Sequence, residues 1–210
     1  MGIFDFLKRK NNVSTRDVIS NIKGRKITDD EYRNIVSGSG WNADSYRAMA
    51  ENGDNLAQYN LGICYREGYG ISVDYQKAIE WFMKSADSGN VEALAAIGSC
   101  YSSGGPNLLR NMEKAFEYWQ KGYEKGDPDC AHNMGFNYEM GNGVTKDIAK
   151  AVSYYQVAAE KGVAMSQYNL GICFYAGNGV TQNQEKALYW WKKAAAQGHK
   201  EAKHNVSVLS

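Results

Sequence analysis

Hydrophobic and small residues recur at the three- and four-residue spacing of an α-helix through most of the chain, as at Ala57, Leu61 and Cys64. Glycine clusters interrupt this spacing at regular intervals. Glycine favours the end of a helix because it adopts the left-handed backbone of a turn at no steric cost. Only two prolines occur among the 210 residues. The pattern therefore predicts short helices that are joined by tight turns.

The pattern repeats about every 36 residues. The stretch that begins YNLGIC at Tyr59 returns at Tyr168, and two weaker copies lie between them. A fixed period of this length is typical of helical hairpins that stack into an array. Two series of glycines mark the copies at steps of 36 or 37 residues: Gly62, Gly98, Gly135 and Gly171, and Gly53, Gly89, Gly126, Gly162 and Gly198.

Each copy contains the signals for a helix, a turn and a second helix. The first helix is predicted to stop at a glycine pair with left-handed backbone. The second helix is predicted to begin after an Asp or Asn, whose side-chain oxygen can accept from the free amides of a first helical turn. It continues through Lys-Ala and an aromatic pair. The glycine pairs are Gly68 and Gly70, Gly104 and Gly105, Gly141 and Gly143, and Gly177 and Gly179, and the predicted caps are Asp74, Asn111, Asp147 and Asn183.

A single helical hairpin buries too little surface to offset the entropy of ordering its chain, so the copies must stack. The predicted fold is an all-α solenoid of about four helix-turn-helix repeats with an N-terminal helical cap. Residues 1–40 are predicted to form the tail and cap, 41–53 the helix of a degenerate leading repeat, 54–198 the four repeats, and 199–210 a C-terminal capping helix.

The combination of LGxxY, GxG, Asp/Asn-xx-Lys-Ala, the aromatic pair and Ala-Ala-xx-Gly resembles the Sel-like repeat family, a relative of the tetratricopeptide repeats. The resemblance covers about residues 41–210. It implies a right-handed superhelix of antiparallel helix pairs that serves as an adaptor or binding platform. The second copy departs from the pattern, with Gly104-Gly105-Pro106 in place of GxG and Gly122-Tyr123 in place of Ala-Ala.

The tetratricopeptide analogy places the first helices along a concave groove, where positions that differ between copies are free to suit a ligand. Aromatic and aliphatic residues in the third and fourth copies could anchor a partner, and acidic residues could orient it. Alternatively, Tyr168 and Tyr175 only pack between neighbouring first helices. The predicted groove residues are Tyr59, Ile63, Arg66, Glu92, Ser99, Ser102, Asp129, His132, Phe136, Glu139, Met165, Tyr168, Ile172 and Tyr175.

Composition adds few constraints on the partner. The formal net charge is +1, so no overall field draws the chain to nucleic acid. Cys64, Cys100 and Cys173 occupy one position on successive first helices, which predicts core packing, reduced thiols and a cytoplasmic location. Residues 3–10 pair apolar and basic side chains, and a weak membrane contact there is the alternative to docking on the body of the protein.

No catalytic motif is present: the chain lacks HExxH, a nucleophile elbow and a glycine-rich loop that follows a strand. His132, near Asp129 and Glu139, could bind a metal ion, but a groove-lining histidine is favoured. We therefore expect no enzyme, no cofactor and no metal, and a protein as partner. The leading hypothesis is a bacterial adaptor. The alternatives are an immunity protein that neutralises a toxin and a hydrolase of a lactam or cell-wall substrate.

Overall fold

A computed structural model of the chain describes residues 43–209, which form ten α-helices and no β-strand. The predictions for residues 1–42, namely the N-terminal cap, the start of the leading helix and the membrane contact of residues 3–10, lie outside the described residues. The helices are α1 (Ala43–Glu51), α2 (Asn55–Glu67), α3 (Tyr75–Asp87), α4 (Glu92–Ser103), α5 (Met112–Glu124), α6 (Pro128–Met140), α7 (Ile148–Glu160), α8 (Ala164–Ala176), α9 (Gln184–Ala196) and α10 (Lys200–Leu209).

The described helices pack in chain order. Helices α2–α3, α4–α5, α6–α7 and α8–α9 form copies 1 to 4, α1 precedes them and α10 follows. Each helix contacts the next one along the chain, and α4 also contacts α6, the first helix of the following copy. The arrangement confirms the predicted all-α solenoid of four helix-turn-helix repeats.

The second helix of every copy begins at the predicted cap. The Asp74 carboxylate accepts from the Lys77 amide at 2.9 Å. The side chains of Asn111, Asp147 and Asn183 accept in the same way from the amide three residues later, at 2.9, 3.0 and 2.8 Å. A cap of this kind stabilises a helix by about 1 kcal/mol.

The turn between the two helices differs in copy 2. The first glycine of the pair ends α2, α6 and α8 in the left-handed conformation, and the second glycine of those pairs also has positive φ. The prediction of a left-handed pair is wrong at Gly105, which lies outside that region and instead pairs with Leu108 in an isolated bridge. Gly105 is required for space, because a Cβ there would lie 2.6 Å from the Tyr75 ring.

The core of each copy is an aromatic ring from the second helix that lies on the marker glycine of the first. Phe82 is fully buried, and a Cβ added to Gly62 would lie 2.6 Å from its Cδ1 atom. The rings are the second members of the aromatic pairs. The other three contacts are Gly98 with Trp119, Gly135 with Tyr155 and Gly171 with Trp191.

Neighbouring copies meet through small side chains. Gly122 of α5 faces Cys130 of α6, whose Sγ atom occupies the place that a Cβ of Gly122 would take. At the boundary between copies 3 and 4 the corresponding residues are Ala158 and Ser166. At the boundary between copy 4 and α10 they are Ala194 and Ala202, and all four are fully buried. The departure of copy 2 from Ala-Ala is therefore matched by a larger side chain opposite it.

We expect Gly62→Ala to lower the free energy of unfolding by about 1–3 kcal/mol, because the new Cβ displaces the Phe82 ring. This loss should outweigh the higher helix propensity of alanine. Urea unfolding followed by circular dichroism measures it. In a Phe82→Leu background the same glycine substitution should cost less, and an equal cost in both backgrounds would contradict the contact.

We expect the effect of Cys130→Ala to change sign with the residue at position 122. In the natural chain it should lower the free energy of unfolding by leaving a void. In Gly122→Ala it should raise that free energy, since the double variant reproduces the Ala194–Ala202 pair. Urea unfolding of the two single variants and the double variant tests this, and a loss in both backgrounds would refute the compensation.

Candidate protein-binding face

The predicted groove residues lie on one side of the first helices. In α8, Met165, Tyr168, Ile172 and Tyr175 are three, four and three residues apart, which places them on one helical face. We call this side, in α2, α4, α6 and α8, the first-helix face. None of the fourteen residues is fully buried. Exposed are Glu92, Asp129, Phe136, Met165 and Tyr175, and half-buried are Tyr59, Ile63, Arg66, Ser99, Ser102, His132, Glu139, Tyr168 and Ile172.

In copies 1 and 2 most of the predicted residues, Glu92 excepted, make contacts within the scaffold. The Tyr59 ring lies 5.4 Å from the Phe82 ring, and Arg66 donates from Nε to Glu67 at 2.8 Å. The Ser99 and Ser102 hydroxyls donate to carbonyl oxygens of their own helix at 2.9 and 3.0 Å. This half of the first-helix face therefore offers few uncommitted side chains.

His132 joins two first helices. Its Nδ1 atom is 2.8 Å from the Ser166 hydroxyl of α8, and its ring lies 5.8 Å from the Tyr155 ring. Burial lowers the pKa of His132 below its ordinary value of 6.5. Ser166 is fully buried, so its hydroxyl is out of reach of an external substrate. Within residues 43–209, no group of three or more His, Cys, Asp and Glu side chains could hold a metal ion.

Two further predicted residues also make internal contacts. Glu139 accepts a hydrogen bond from the Tyr155 hydroxyl at 2.6 Å. Burial and this carboxylate both raise the pKa of Tyr155. Tyr168 stacks on His199 with ring centroids 4.3 Å apart. For Tyr168, the interpretation as a packing residue therefore has support from the structure, although its contact is with the residue that precedes α10.

An exposed apolar surface remains on copies 3 and 4. We call Phe136, Met140, Met165 and Tyr175 the apolar patch, and their exposed fractions are 41, 55, 49 and 43%. Tyr175 also leans on the Trp191 ring at 5.5 Å. Met140 was not among the predicted groove residues, although it lies four residues after Phe136 and hence on the same side of α6. That spacing was the available signal.

The cysteines are part of the packing. Cys64, Cys100 and Cys173 are buried and unpaired, as predicted, and the fourth cysteine, Cys130, is also buried and unpaired. Burial raises the pKa of Cys64 to about 12 and the pKa values of Cys100 and Cys173 to about 11. These thiols therefore stay protonated near neutral pH, which makes them poor nucleophiles and metal ligands.

The lysine of each Lys-Ala pair has a structural role that the sequence analysis missed. Its ammonium group lies over an aromatic ring near the end of the first helix in the same copy. Contacts of this kind contribute about 0.5–1 kcal/mol at exposed sites. They join Lys77 to Tyr65 at 5.7 Å, Lys114 to Tyr101 at 5.2 Å, Lys150 to Tyr138 at 5.4 Å and Lys186 to Phe174 at 5.2 Å.

Stacked helical hairpins that repeat the same interior contact and vary on the outer side define a helical-repeat scaffold. The Sel1 repeat family model matches residues 55–90, 91–127, 128–163 and 164–199. The chain therefore belongs to the Sel1 repeat family. Sel1 repeat proteins are generally protein-interaction modules and are typically non-catalytic.

The chain is also similar to solved structures and to curated proteins. A Sel1 repeat protein from Oxalobacter formigenes is 33% identical, with a TM-score of 0.70 over 80% of this chain and 72% of that chain. The immunity protein Pa5087 from Pseudomonas aeruginosa is 25% identical, with a TM-score of 0.55 over 76% of this chain and 59% of that one.

Among curated proteins, the ERAD-associated E3 ubiquitin-protein ligase component HRD3B from Arabidopsis thaliana is 35% identical over 101 residues, which are 48% of this chain and 16% of that protein. The chain spans less than a quarter of the length of the first curated relatives that it matches. In residues 43–209, no helix has the length and apolar character needed to cross a membrane.

We expect the chain to lose stability in acid partly through His132. The lowered pKa means that the unfolded chain takes up a proton which the folded chain resists. The contribution of neutral His132 to the free energy of unfolding is therefore complete above pH 6.5, the ordinary pKa of histidine, and is lost as the pH falls below that value. Urea unfolding at pH 7.5 and 5.5 should show a smaller acid loss for His132→Gln than for the natural chain. Equal losses would contradict this role.

Proposed function

We propose that the chain is a cytoplasmic adaptor of bacterial type that holds a partner protein along the first-helix face. The observation that carries this proposal is the apolar patch, four large side chains that are 41–55% exposed on adjacent first helices. The four side chains lie on the same side of two neighbouring helices. Clustered exposed apolar side chains, unlike singly scattered ones, are typical of interaction sites. The membership in a family of interaction modules supports the same function.

Variation between the copies supports recognition by this face. The position of Phe136 is held by Ile63, Ser99 and Ile172 in the other copies, whereas the marker glycine beside it is the same in all four. Packing fixes the glycine, and the outward position is free to change without disturbing the array. We also propose that α1 and α10 cover the two ends of the repeats.

A second candidate is an immunity protein that neutralises a toxin. It is favoured by the likeness to the Pseudomonas aeruginosa immunity protein Pa5087. Both functions use the same face, and they differ in the identity of the partner and in the consequence of binding.

We expect Tyr175→Ala to weaken partner binding about tenfold or more, since aromatic hot-spot residues at interfaces contribute about 2 kcal/mol or more and about 1.4 kcal/mol corresponds to tenfold in affinity. The partner is isolated on the tagged chain, identified by mass spectrometry, purified and titrated by calorimetry. The matched control is Tyr189→Ala, which removes a tyrosine of similar exposure, 51%, from the second helix α9. The control should bind within twofold of the natural chain.

Equal loss in Tyr175→Ala and Tyr189→Ala, or no loss in either, would refute the assignment of the first-helix face. The immunity role makes an additional demand. The isolated partner must arrest growth when expressed alone, the natural chain must restore growth, and Tyr175→Ala must fail to restore it. A partner that is not toxic would be consistent with the adaptor function and would contradict the immunity function.

A further inference from the structure

Charge is distributed unequally between the two sets of helices. Helices α4, α6 and α8 contain Glu92, Asp129 and Glu139 and no lysine or arginine. Each second helix of the four copies carries at least one lysine together with acidic residues. The charged side chains of the first helices in copies 2 and 3 are therefore all acidic, and the first helix of copy 4 has none, although the whole chain has a formal net charge of only +1.

Two of these acidic side chains are available to a partner. Glu92 and Asp129 are exposed, and neither belongs to any ion pair within 4.0 Å in the described part of the chain. Lys161, in the turn before α8, donates to the Gly126 carbonyl at 2.8 Å. Glu139 is half-buried and accepts from Tyr155.

The apolar patch shares this face with the acidic residues. Phe136 lies seven residues after Asp129 in α6, which is two helical turns along the same side. The bond between His132 and Ser166 holds α6 against α8 at the level between Asp129 and Phe136, next to Met165. Acidic and apolar side chains therefore lie on the same side of the first helices, with the acidic groups at the N-terminal ends of α4 and α6.

We propose that the segment held on this face is a cationic amphipathic segment of the partner protein. The proposal rests on the adaptor function and specifies the chemistry of the partner. Apolar side chains of the segment cover the apolar patch, and lysine or arginine side chains lie opposite Glu92 and Asp129. Complementary charge of this kind accelerates the encounter and excludes acidic segments, while the apolar contacts supply most of the affinity.

Two synthetic helical peptides with identical leucine positions test the proposal, one with lysine and the other with glutamate at every polar position. Binding to the full chain is measured by fluorescence anisotropy at low and at high salt. We expect the lysine peptide to bind at least about tenfold more tightly than the glutamate peptide, with a preference that decreases at high salt. Phe136→Ala should weaken the lysine peptide as well.

Charge-reversed variants locate the binding. Glu92→Lys with Asp129→Lys should weaken the lysine peptide about tenfold or more. The control is Glu113→Lys with Glu185→Lys, which has the same change in net charge. Glu113 and Glu185 also lie in the first turns of their helices, α5 and α9, so the loss of a favourable helix-dipole contact is matched as well. Circular dichroism establishes that both double variants are folded, and Glu92→Gln with Asp129→Asn provides a milder pair.

Equal weakening in the two double variants would mean that net charge alone attracts the peptide and would overturn the proposal. Binding of neither peptide, or a preference for the glutamate peptide, would also overturn it. Self-association of the chain that Tyr175→Ala abolishes would assign the face to a second copy instead. The peptide results leave the adaptor function in place, because that function depends on the comparison of Tyr175→Ala with Tyr189→Ala on the natural partner. Self-association through this face would contradict both proposals.

Discussion

The array depends on one contact that occurs once in every copy, the aromatic ring of the second helix on the marker glycine of the first. A side chain at that glycine would occupy the space of the ring, as the 2.6 Å approach of a Cβ at Gly62 to Phe82 shows. The ring is phenylalanine, tryptophan, tyrosine and tryptophan in the four copies, so the constraint is one of shape. Where the ring carries a donor, it finds an acceptor: Trp191 donates from Nε1 to the Tyr168 carbonyl at 3.1 Å.

Because this contact faces inward, the residues that stabilise the array and the residues proposed to bind a partner lie on different sides of the first helix. The marker glycine and the small residues between copies are fixed by close packing. The lysines of the second helices cover aromatic rings of their own copies. The outward positions of α4, α6 and α8 are less constrained by this packing, and their residues differ between copies in size and charge. This separation lets a repeat scaffold change its partner without changing its fold.

Copy 2 shows how the scaffold accommodates departures from the repeat pattern. Its Gly122 is matched by Cys130 in the next copy, and its Gly105 by Tyr75 in the preceding one. Its longer turn is also fixed to copy 1, because Asn107 accepts from the Tyr75 amide at 2.9 Å and donates to Asp74 at 2.7 Å. Each irregularity is therefore paired with a change in a neighbouring copy.

The sequence by itself determined the period, the number of copies, the caps of the second helices and the family. These features follow from local signals, such as an Asp or Asn three residues before the amide that it caps, as at Asp74. The signals are clear because they recur in every copy. The fourteen predicted groove residues were chosen by the tetratricopeptide analogy applied to the first helices, and none of them is fully buried. Only the tertiary structure decided which of them are uncommitted. His132 is hydrogen-bonded to Ser166, Glu139 is hydrogen-bonded to Tyr155, and Tyr168 is stacked on His199, each across a helix boundary, whereas Phe136 and Met165 stay exposed. Helical periodicity specifies the direction of a side chain, but its availability depends on residues that only packing brings near.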